Sequence, residues 1–595
     1  MLASAPAAIA CIIFTGFRMI RILSTREMQV VEQSAVDAGI STPELMQNAG
    51  TAVADVVMSF HSVGNHRATE ILVLVGNGNN GGDGLVAATK LKEATDADVH
   101  AYLISPRPDE DRELATARNS GVTLHYFADD SQLQTLTSLT NRADIIVDSL
   151  LGTGVHLPIR DDVATILRTV QNVVFAESSN PSTSVVWASA TQTTQTFRKL
   201  VVAVDCPSGM DCDTGEVAEE TIRSDVTVTF GGVKYGHIRF PGAGYCGELA
   251  ISLIGIPSNV LDSEASSTVL VTPMDVANAL PDRPIDGHKG TFGRLTIASG
   301  SNRFVGAASL AGLAAYLTGV GLVQMAVPEL IIPIVASGFP EAIWQGLPSH
   351  EGALDIRATS VLLEAIAGSS SVLIGPGLGQ SHGTQEFFGK FMEAHSATKH
   401  KPDRTDSLKS TSPRDKNLPY RLVIDADGLN LLSKLPNWWD LLPPETVLTP
   451  HVKEMCRLTG LDRETVLSTR IDLTRQMADS WKCVVILKGP FSVVAAPGEQ
   501  TAIIPFATDA LAKAGTGDAL AGCVAGLIAQ GCASYPAAFI GGYIHGLAGT
   551  LATKSVPSRS VLARDVLHNI PAAFKKVESQ RTARNSGPLL IRGPG

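Results

Sequence analysis

The stretch ILVLVGNGNNGGDGLVAATKLKE, residues 71–93, decides the fold class of the first half of the chain. Residues 71–75 form a continuous apolar run of strand length, and residues 85–93 have a helical pattern. Between them lies a glycine-rich loop, residues 76–84. Strand, loop and helix in this order are typical of a parallel sheet, because parallel strands are joined by crossover helices.

Apolar runs of strand length continue along the chain. Residues 99–104, 145–148 and 200–205 predict further strands of the first sheet, separated by helical segments. A second series of strands and helices begins at residues 295–298 and ends with a helix from Asp518. Because 595 residues exceed what one hydrophobic core fills, we predict two α/β domains.

The predicted boundaries are an extension or mis-called start at residues 1–18, a first domain at 19–256, a linker at 257–268, a second domain at 269–575 and a polar tail at 576–595. Residues 3–17 are apolar, but no Lys or Arg precedes them, as a secretory signal requires, and they are too short for a membrane span. Two helices, from Ser24 and Thr42, are predicted before any strand. Residues 396–418 are charged and poor in apolar side chains, which predicts a disordered insertion.

The composition argues against several classes of partner. A net charge of −11 repels nucleic-acid backbones and anionic membranes, and 5% aromatic residues leave little for base stacking. The eight cysteines show no CxxC pair and no zinc-ligand spacing. We therefore expect reduced thiols, a cytoplasmic location, no nucleic acid and no membrane.

The first glycine loop carries more than turn-making residues. Gly76 to Gly81 fits the GxGxxG pattern, which alone would indicate a dehydrogenase, but glycine loops are common at strand ends. Two asparagines and Asp83 add amide oxygens and a carboxylate to a helix N-terminus, which suits a phosphate together with a cation. Asp148 and Asp205 end two other strands, where side chains face the ligand crevice. One such aspartate is more simply a cap or turn residue, but three in one sheet favour a ligand site.

Four separated motifs give the first half a resemblance to a known family. They are residues 47–50 (QNAG), 76–84 (GNGNNGGDG), 148–154 (DSLLGTG) and 204–209 (VDCPSG). Over residues 19–256 they resemble the epimerase domain of NAD(P)H-hydrate repair enzymes. That family interconverts the R and S epimers of NADHX and NADPHX, which are nicotinamide nucleotides hydrated at the ring carbon beside the nitrogen.

The resemblance implies a Rossmann-like three-layer sandwich and roles for individual residues. Asn80, Asp148 and Ser208 would ligate K⁺, and Asp205 would be catalytic. The hydrated carbon is a carbinolamine, so its hydroxyl can leave and return from the opposite face while a carboxylate moves the proton and stabilises the cation. A lone loop histidine such as His156 is more often structural, so it is left out of catalysis. The residues that would bind the hydrated cofactor are Asn79, Asn80, Gly81, Gly82, Asp83, Gly152, Thr153, Gly154, Val155, His156, Leu157, Pro158 and Asp205.

Glycine-rich and polar segments also flank predicted strands in the second half. They are residues 288–293 (HKGTFG), 375–379 (GPGLG), 425–430 (DADGLN), 449–451 (TPH) and 487–490 (LKGP). Residues 514–522 (AGTGDALAG) open a helix whose N–H groups form an anion hole for a phosphate. Asp518 is placed there to take a proton from an attacking hydroxyl. A glycine-rich turn with Asp518 as helix cap would explain this segment alone, but not the other loops.

These motifs resemble the ribokinase-like superfamily and, within it, the ADP- or ATP-dependent NAD(P)H-hydrate dehydratases. That family dehydrates the S epimer to NAD(P)H, driven by nucleotide hydrolysis, and we expect Mg²⁺ at the site. ADP is favoured over ATP because one-chain fusions resemble the bacterial arrangement. Residues 452–454 (VKE) depart from the usual Pro-Gly-Glu. By this resemblance the hydrated cofactor would be bound by Ala307, Gly377, His451 and Asp518, with Asp518 also catalytic, and ADP by Lys488, Gly489, Pro490, Phe491, Ser492 and Gly517.

Two other functions are compatible with the sequence. A ribokinase-like small-molecule kinase with an N-terminal regulatory nucleotide-binding domain would accumulate a phosphorylated product. The first half could instead be a pure binding module, like its relatives in messenger-RNA decapping factors. We favour repair because an epimerase would supply a dehydratase that accepts only one epimer. The expected partners are NADHX, NADPHX and ADP, and a homo-oligomer is expected.

Overall fold

The structure is a computed structural model that describes residues 19–61, 69–108, 110–155, 157–159, 161–179, 199–263, 267–397 and 420–582. Its contacts divide the chain into two compact units, with the change between residues 266 and 267. Both are α/β units built on parallel sheets, as predicted. The predicted extension at residues 1–18, nearly all of the predicted insertion at 396–418, and His156 lie outside the described residues.

The first unit alternates strands and helices along most of its length. Its strands are β1 (Ile20–Leu23), β2 (Glu70–Val75), β3 (Asp98–Leu103), β4 (Thr123–Tyr126), β5 (Ile145–Ser149), β6 (Leu200–Val204), β7 (Val226–Phe230), β8 (Val233–Lys234) and β9 (Glu248–Ser252). Its helices are α1 (Thr25–Asp37), α2 (Thr42–His61), α3 (Asn79–Ala94), α4 (Arg112–Asn119), α5 (Gln134–Arg142), α6 (Asp161–Ser179) and α7 (Ser258–Ser263).

The main sheet of this unit is parallel, in the order β4-β3-β2-β5-β6-β7-β9. The chain builds outward from β2 through β3 to β4, then returns to add β5 on the other side of β2. In such sheets the ligand crevice lies where the strand order reverses, at the carboxyl ends of the strands. That position falls between the loops that follow β2 and β5.

Two details of the first unit differ from the sequence-based expectation. The prediction that two helices precede any strand is wrong, because β1 comes first. This strand is fixed by parallel pairing with β8, more than 200 residues away in sequence, and a four-residue run gives little local signal. Helix α3 starts at Asn79, directly after the N-cap Gly78, so the glycines from Gly81 to Gly84 lie in the helix and the predicted loop is shorter.

The second unit is larger and has one long sheet with a small hairpin. Its strands are β10 (Thr268–Leu270), β11 (Arg294–Ala298), β12 (Leu322–Pro328), β13 (Ile343–Leu347), β14 (Ser349–His350), β15 (Ala353–Leu354), β16 (Ser371–Ile374), β17 (Arg421–Ile424), β18 (Val447–Leu448), β19 (Val484–Leu487), β20 (Val493–Ala495) and β21 (Thr501–Ile503). Its helices are α8 (Pro273–Ala279), α9 (Val305–Leu317), α10 (Ile332–Val335), α11 (Ala358–Ala365), α12 (His382–Ala397), α13 (Asp427–Leu432), α14 (Val452–Thr459), α15 (Arg463–Ser468), α16 (Arg470–Trp481), α17 (Thr516–Ala529), α18 (Ser534–Ala552) and α19 (Ala563–Thr582).

The long sheet runs in the order β13-β12-β11-β16-β17-β18-β19-β20-β21-β10. It is parallel from β13 to β19, and β20 is antiparallel to both of its neighbours. Helices α9 and α17 pack tightly, since a Cβ built on Gly522 would lie 2.1 Å from the Ala311 carbonyl oxygen. The parallel strands therefore present their carboxyl ends, and the loops that carry the motifs, along one edge.

Helix α19 continues to Thr582, beyond the predicted domain end at residue 575. Val577 is fully buried, and Arg581 donates a hydrogen bond to the Ala277 carbonyl oxygen. The segment up to residue 582 thus belongs to the packed unit, because a few apolar residues at helical spacing are enough to dock an otherwise polar helix. None of the described helices is long and apolar enough to cross a membrane.

Candidate active sites

An oxygen-rich cluster forms where β5 and β6 end in the first unit. Ser208 Oγ donates to Asp148 Oδ1 at 2.6 Å, and the Ser208 amide donates to Asp148 Oδ2 at 2.9 Å. The side-chain amide of Asn80 donates through Nδ2 to the Leu151 carbonyl oxygen at 3.0 Å. The backbone N–H of Leu151 donates to Ser208 Oγ at 2.9 Å. The three predicted K⁺ ligands, Asn80, Asp148 and Ser208, are thus brought together around Leu151.

Asp148 is a buried carboxylate with neutral hydrogen-bond partners. Its side chain is almost inaccessible, and burial raises its pKa although Ser208 and Leu150 donate hydrogen bonds to it. No ion pair within the described residues involves Asp148. A single negative charge among hydroxyl, amide and carbonyl oxygens suits a hard monovalent cation, so the residues present fit K⁺.

Close backbone approach fixes the turn after β5 against α3. A Cβ built on Gly76 would lie 1.9 Å from the Leu150 carbonyl oxygen, and one on Gly81 would lie 2.0 Å from the Gly76 carbonyl oxygen. Gly152 lies against Asn80, with a built Cβ 3.2 Å from the Asn80 Cβ. The first and last glycines of the GxGxxG pattern, Gly76 and Gly81, are therefore required here for packing, whereas a Cβ built on Gly78 would meet nothing within 4 Å among the described atoms.

The other predicted cofactor-binding residues of the first unit lie on two neighbouring segments. Asn79, Gly81, Gly82 and Asp83 lie in the first turns of α3, and Gly82 packs against the Met46 sulfur. Thr153, Gly154, Val155, Leu157 and Pro158 lie in the loop after β5, which is partly exposed apart from the buried Val155. Their roles in binding stay predictions.

Asp205 forms a buried ion pair with Lys234, at 2.5 Å between Oδ1 and Nζ. The Lys234 side chain is 0% exposed, and Nζ also donates to Thr229 Oγ1 and the Phe230 carbonyl. Burial alone would raise the pKa of Asp205, but the Lys234 charge, the neighbouring His237 and the Thr229 hydrogen bond outweigh it, so the pKa lies below its ordinary value. Asp205 is therefore an ionised carboxylate.

His237 completes this centre as a neutral imidazole. Its Nδ1 accepts from the Lys234 amide at 3.1 Å, and its Nε2 lies 3.0 Å from the Asp205 carbonyl oxygen. Burial, followed by the charge of Lys234, lowers its pKa to about 3. The residues Lys234 and His237 were not identified from the sequence. Lys234 is the single charged residue in the apolar stretch at 226–234. That lone charge is the feature of the sequence that could have indicated a functional lysine.

Asp83 has the opposite protonation preference to Asp205. Burial raises its pKa well above the ordinary value, and the negative charges of Asp205 and Glu32 raise it further. Burial also raises the pKa of Glu32, on α1. Two carboxylates whose environments move their pKa values apart are a frequent arrangement for acid and base roles. The sequence named Asp83 for binding only.

In the second unit, Lys488 is the centre of a buried charge cluster. Its Nζ lies 2.7 Å from Asp425 Oδ1 and 3.8 Å from Glu454 Oε2. Burial lowers the pKa of Lys488, but Asp425 and Glu454 more than offset this and the net shift is upward. Burial raises the pKa of Glu454 to about 7 despite the Lys488 charge. Lys488 is one of the residues predicted to bind ADP. In the structure its ammonium group is already paired with the carboxylates of Asp425 and Glu454.

Asp518 lies in the first turn of α17 beside this cluster. Burial raises its pKa to about 7, and the charge of Asp425 raises it while that of Lys488 lowers it. A Cβ built on Gly517 would lie 3.4 Å from Lys488 Nζ, so the turn that opens α17 adjoins the cluster. A carboxylate with a pKa near 7 is suited to general-base catalysis at physiological pH.

The remaining predicted substrate residues border the same edge of the sheet. Gly377, with φ +66°, packs its backbone against Ala307, since a built Cβ would lie 2.8 Å from the Ala307 Cβ. His451 caps α14 by accepting from the Glu454 amide at 3.1 Å, and its Nε2 lies 3.3 Å from Glu454 Oε1. Asp427 accepts from the Gly379 amide at 2.9 Å and so ties two of the motif loops together.

The turn after β19 carries the predicted nucleotide-binding residues. Gly489 and Pro490 are exposed, and Ser492 Oγ donates to the Gly489 carbonyl oxygen at 2.9 Å. Phe491 is buried, and its backbone N–H donates to the Phe506 carbonyl oxygen at 2.8 Å, so its part in nucleotide binding stays a prediction. Asp425 Oδ2 is a buried oxygen without a hydrogen-bond partner among the described residues, which suits a metal ligand. The described residues contain no group of three or more His, Cys, Asp or Glu side chains that could hold a metal by itself.

Two family models match the chain, one in each unit. A family model described as YjeF-related protein N-terminus matches residues 42–236, and one described as NAD(P)H-hydrate dehydratase matches residues 295–572. A bifunctional NAD(P)H-hydrate repair enzyme from Moorella thermoacetica is 32% identical and spans 90% of this chain and 93% of its own length. The chain belongs to the family of bifunctional NAD(P)H-hydrate repair enzymes.

Two other proteins are similar to this chain. The bifunctional NAD(P)H-hydrate repair enzyme from Salinibacter ruber is 32% identical, over 92% of this chain and 95% of its own. A crystal structure of an ADP/ATP-dependent NAD(P)H-hydrate dehydratase from Bacillus subtilis, co-crystallised with ATP and Mg²⁺, is 27% identical over 52% of this chain and 98% of that chain, with a TM-score of 0.41. The predicted family and enzyme class, an isomerase half and a lyase half in one chain, are confirmed.

Proposed function

We propose that the first unit interconverts the R and S epimers of NADHX and NADPHX, and that the second dehydrates the S epimer at the expense of ADP. The observation that carries this proposal is the presence of two buried carboxylate–lysine centres. One is Asp205 with Lys234, and the other is Asp425 with Lys488 beside Asp518. Each centre follows strands of its own parallel sheet.

In the first unit, epimerisation needs loss and return of one hydroxyl group. The ionised Asp205 stabilises the positive ring that forms when the hydroxyl leaves. Burial raises the pKa of Asp83, which suits this carboxyl group to give a proton to the departing hydroxyl. Water then adds from the opposite face and returns the proton, so the reaction has no net change in protons or electrons.

K⁺ would be held by Asn80, Asp148 and Ser208, where it neutralises the Asp148 charge. Its chemical contribution is electrostatic, and the turn after β5 is the element it would hold in place. Ser208→Ala removes a ligand and a hydrogen bond to Asp148. We expect epimerisation by the wild type to fall when K⁺ is replaced by choline, and the variant to lose that ion dependence. An epimerase equally active in choline would exclude the ion from this role.

In the second unit, nucleotide cleavage makes the hydroxyl a good leaving group. The hydroxyl of the S epimer attacks the β-phosphate of ADP while Asp518 takes its proton, and AMP leaves. The C–O bond of the phosphate ester then breaks, and loss of a proton from the adjacent carbon restores the dihydropyridine. The products are NAD(P)H, AMP and inorganic phosphate. Mg²⁺ would bind with the nucleotide phosphates, and Asp425 offers one carboxylate oxygen to it.

The stoichiometry of the products tests this function. NADH, AMP and phosphate are measured in the same reaction, with Asp518→Asn as the inactive control. Equal amounts of all three are expected, and the control should form none above the rate without enzyme. A stable phosphorylated product without NADH would contradict the proposal, because a small-molecule kinase would give that result.

Three further predictions accompany the proposed function. ADP is favoured over ATP, and comparing the two as phosphate donors tests this. A cytoplasmic location is supported by the described cysteines, all free thiols and all buried except Cys456. A homo-oligomer is expected, and light scattering on the eluting protein measures it.

A further inference from the structure

Arg470 is a largely buried cation at the ligand edge of the second unit. It is the first residue of α16, the helix that leads into β19, and α16 packs against β19 and β20. Its Nη1 donates to the Pro490 carbonyl oxygen at 2.7 Å. A Cβ built on Gly489 would lie 2.7 Å from its Nη2. The guanidinium thus lies directly against the turn for which nucleotide binding is predicted.

The rest of this guanidinium is unpaired. Nε and Nη2 are buried and have no hydrogen-bond partner in the described part of the chain. No carboxylate there lies within ion-pair distance of Arg470, whereas Arg475, in the same helix, pairs with Asp472. Burial lowers the pKa of Arg470 to about 10, which still leaves it charged at neutral pH. Burying a cation without an opposite charge costs free energy, so an anionic ligand would stabilise it.

The neighbouring lysine cannot supply this positive charge. Lys488 is already paired with Asp425 and Glu454, so it balances charges of the protein itself. ADP brings additional negative charge, which needs a cation that is not already neutralised. Arginine presents donors in a fixed fork that matches phosphate oxygens, and here two of those donors are unused.

We propose that Arg470 binds the phosphates of the adenine nucleotide through Nε and Nη2. This inference rests on the proposed ADP dependence of the second unit. The phosphate-binding cation is then supplied by a helix outside the glycine motifs. The contact of Nη1 with Pro490 fixes the orientation of the fork.

The test compares ADP with adenosine, which has the same base and sugar but no phosphate. Arg470→Met removes the charge and keeps the length of the stem, and Arg470→Lys keeps a charge without the fork. Arg475→Met is the matched control, since Arg475 is partly exposed and its partners are Asp472 and Ser267. Binding of ADP to the full chain is measured by titration calorimetry, and adenosine is measured as a competitor. Thermal unfolding checks that each variant is folded.

Arg470→Met is expected to weaken ADP binding about 10- to 100-fold, the range for a lost charged hydrogen bond, and to leave adenosine binding within about twofold. Arg470→Lys should give a smaller loss for ADP, and Arg475→Met should give none. Equal loss for ADP and adenosine would overturn the inference, because it would show that Arg470 only shapes the turn. No loss for ADP would also overturn it. If wild-type protein binds ADP but forms no NADH from NADHX, the proposed function fails while the inference about Arg470 is still tested by binding.

Discussion

Replacing Lys234 by methionine leaves Asp205 buried without its counter-charge. In the wild type the pair is 2.5 Å apart, with the lysine 0% and the aspartate 12% exposed. Methionine retains most of the volume of the lysine stem, so the main effect is electrostatic. Breaking a buried pair by removing one partner costs about 3–5 kcal/mol.

The same magnitude follows from the proton that Asp205 would then take up. Without Lys234, burial is the largest influence on Asp205 and raises its pKa above the unfolded value of about 3.9. If the variant binds that proton fully in the folded state at pH 7, the cost is about 1.4 kcal/mol for each pH unit between 3.9 and 7, which is about 4 kcal/mol.

The sign of the pH dependence distinguishes this cause from simple loss of packing. In the wild type the pKa of Asp205 is lowered, so its stabilising contribution is present above the unfolded pKa and is lost as the pH falls through the folded pKa. In Lys234→Met the pKa of Asp205 is raised, so the unfolded state, which releases that proton more easily, is favoured at high pH. The loss of unfolding free energy relative to the wild type therefore shrinks as the pH falls. If the folded variant binds the proton fully at pH 7, the penalty should decrease by nearly 3 kcal/mol between pH 7 and 5.

Hydrogen exchange measured by mass spectrometry on peptides from residues 200–234 reports the free energy of opening β6 to β8. Lys199→Met is a matched control, because Lys199 is also buried but donates to the carbonyl oxygens of Asn141 and Ala143. It reports the cost of removing a buried lysine stem outside the Asp205 pair. Adding Asp205→Asn to Lys234→Met should recover most of the loss. A penalty below about 1 kcal/mol, or one that is the same at pH 5 and 7, would refute the reasoning.

Three further predictions concern single groups. Asp518→Asn should lower the rate of ADP-dependent NADH formation about 10²- to 10⁴-fold without changing the rate of epimerisation. The wild-type rate of NADH formation should rise with pH through about 7 as Asp518 ionises, and a flat pH–rate profile would contradict a base role. Gly489→Ala should raise the KM for ADP, because its φ is +154° and its Cβ would meet the guanidinium, whereas Gly498→Ala, at φ +76° with nothing within 4 Å, should leave KM unchanged. A ring nitrogen of His100 lies 3.2 Å from one of His125, and burial lowers the pKa of both side chains. The unfolded state therefore takes up protons at a higher pH than the folded state, and the free energy of unfolding should fall as the pH drops below about 6.5. His125→Phe should reduce the change in Tm between pH 7.5 and 5.5.

Much of the candidate chemistry follows from local sequence. Asp148 and Asp205 end apolar runs, and the carboxyl ends of parallel strands converge whatever the rest of the sequence does. Helix α3 was placed too late because glycine has low helix propensity, yet Gly81 and Gly84 lie in the helix, where larger side chains would clash with Gly76 and Ser149. Tertiary packing decided that boundary.

Other parts depend on contacts between segments that are distant in sequence. Lys234 lies in the two-residue strand β8, and its meeting with Asp205 cannot be read from any periodic pattern. The unpaired state of Arg470 is also a property of its surroundings, since nothing in its sequence distinguishes it from Arg475. Burial and charge compensation require the assembled fold.

The most direct test of the two-site account is absorbance at the dihydronicotinamide band, with mixed R and S NADHX, ADP and Mg²⁺. The wild type should convert all of the NADHX to NADH. Asp205→Ala should stop near half conversion, apart from slow spontaneous epimerisation, and adding catalytic amounts of Asp518→Asn protein, which retains the epimerase site, should complete the reaction. Absence of any nucleotide-dependent recovery of NADH by the wild type would contradict the account.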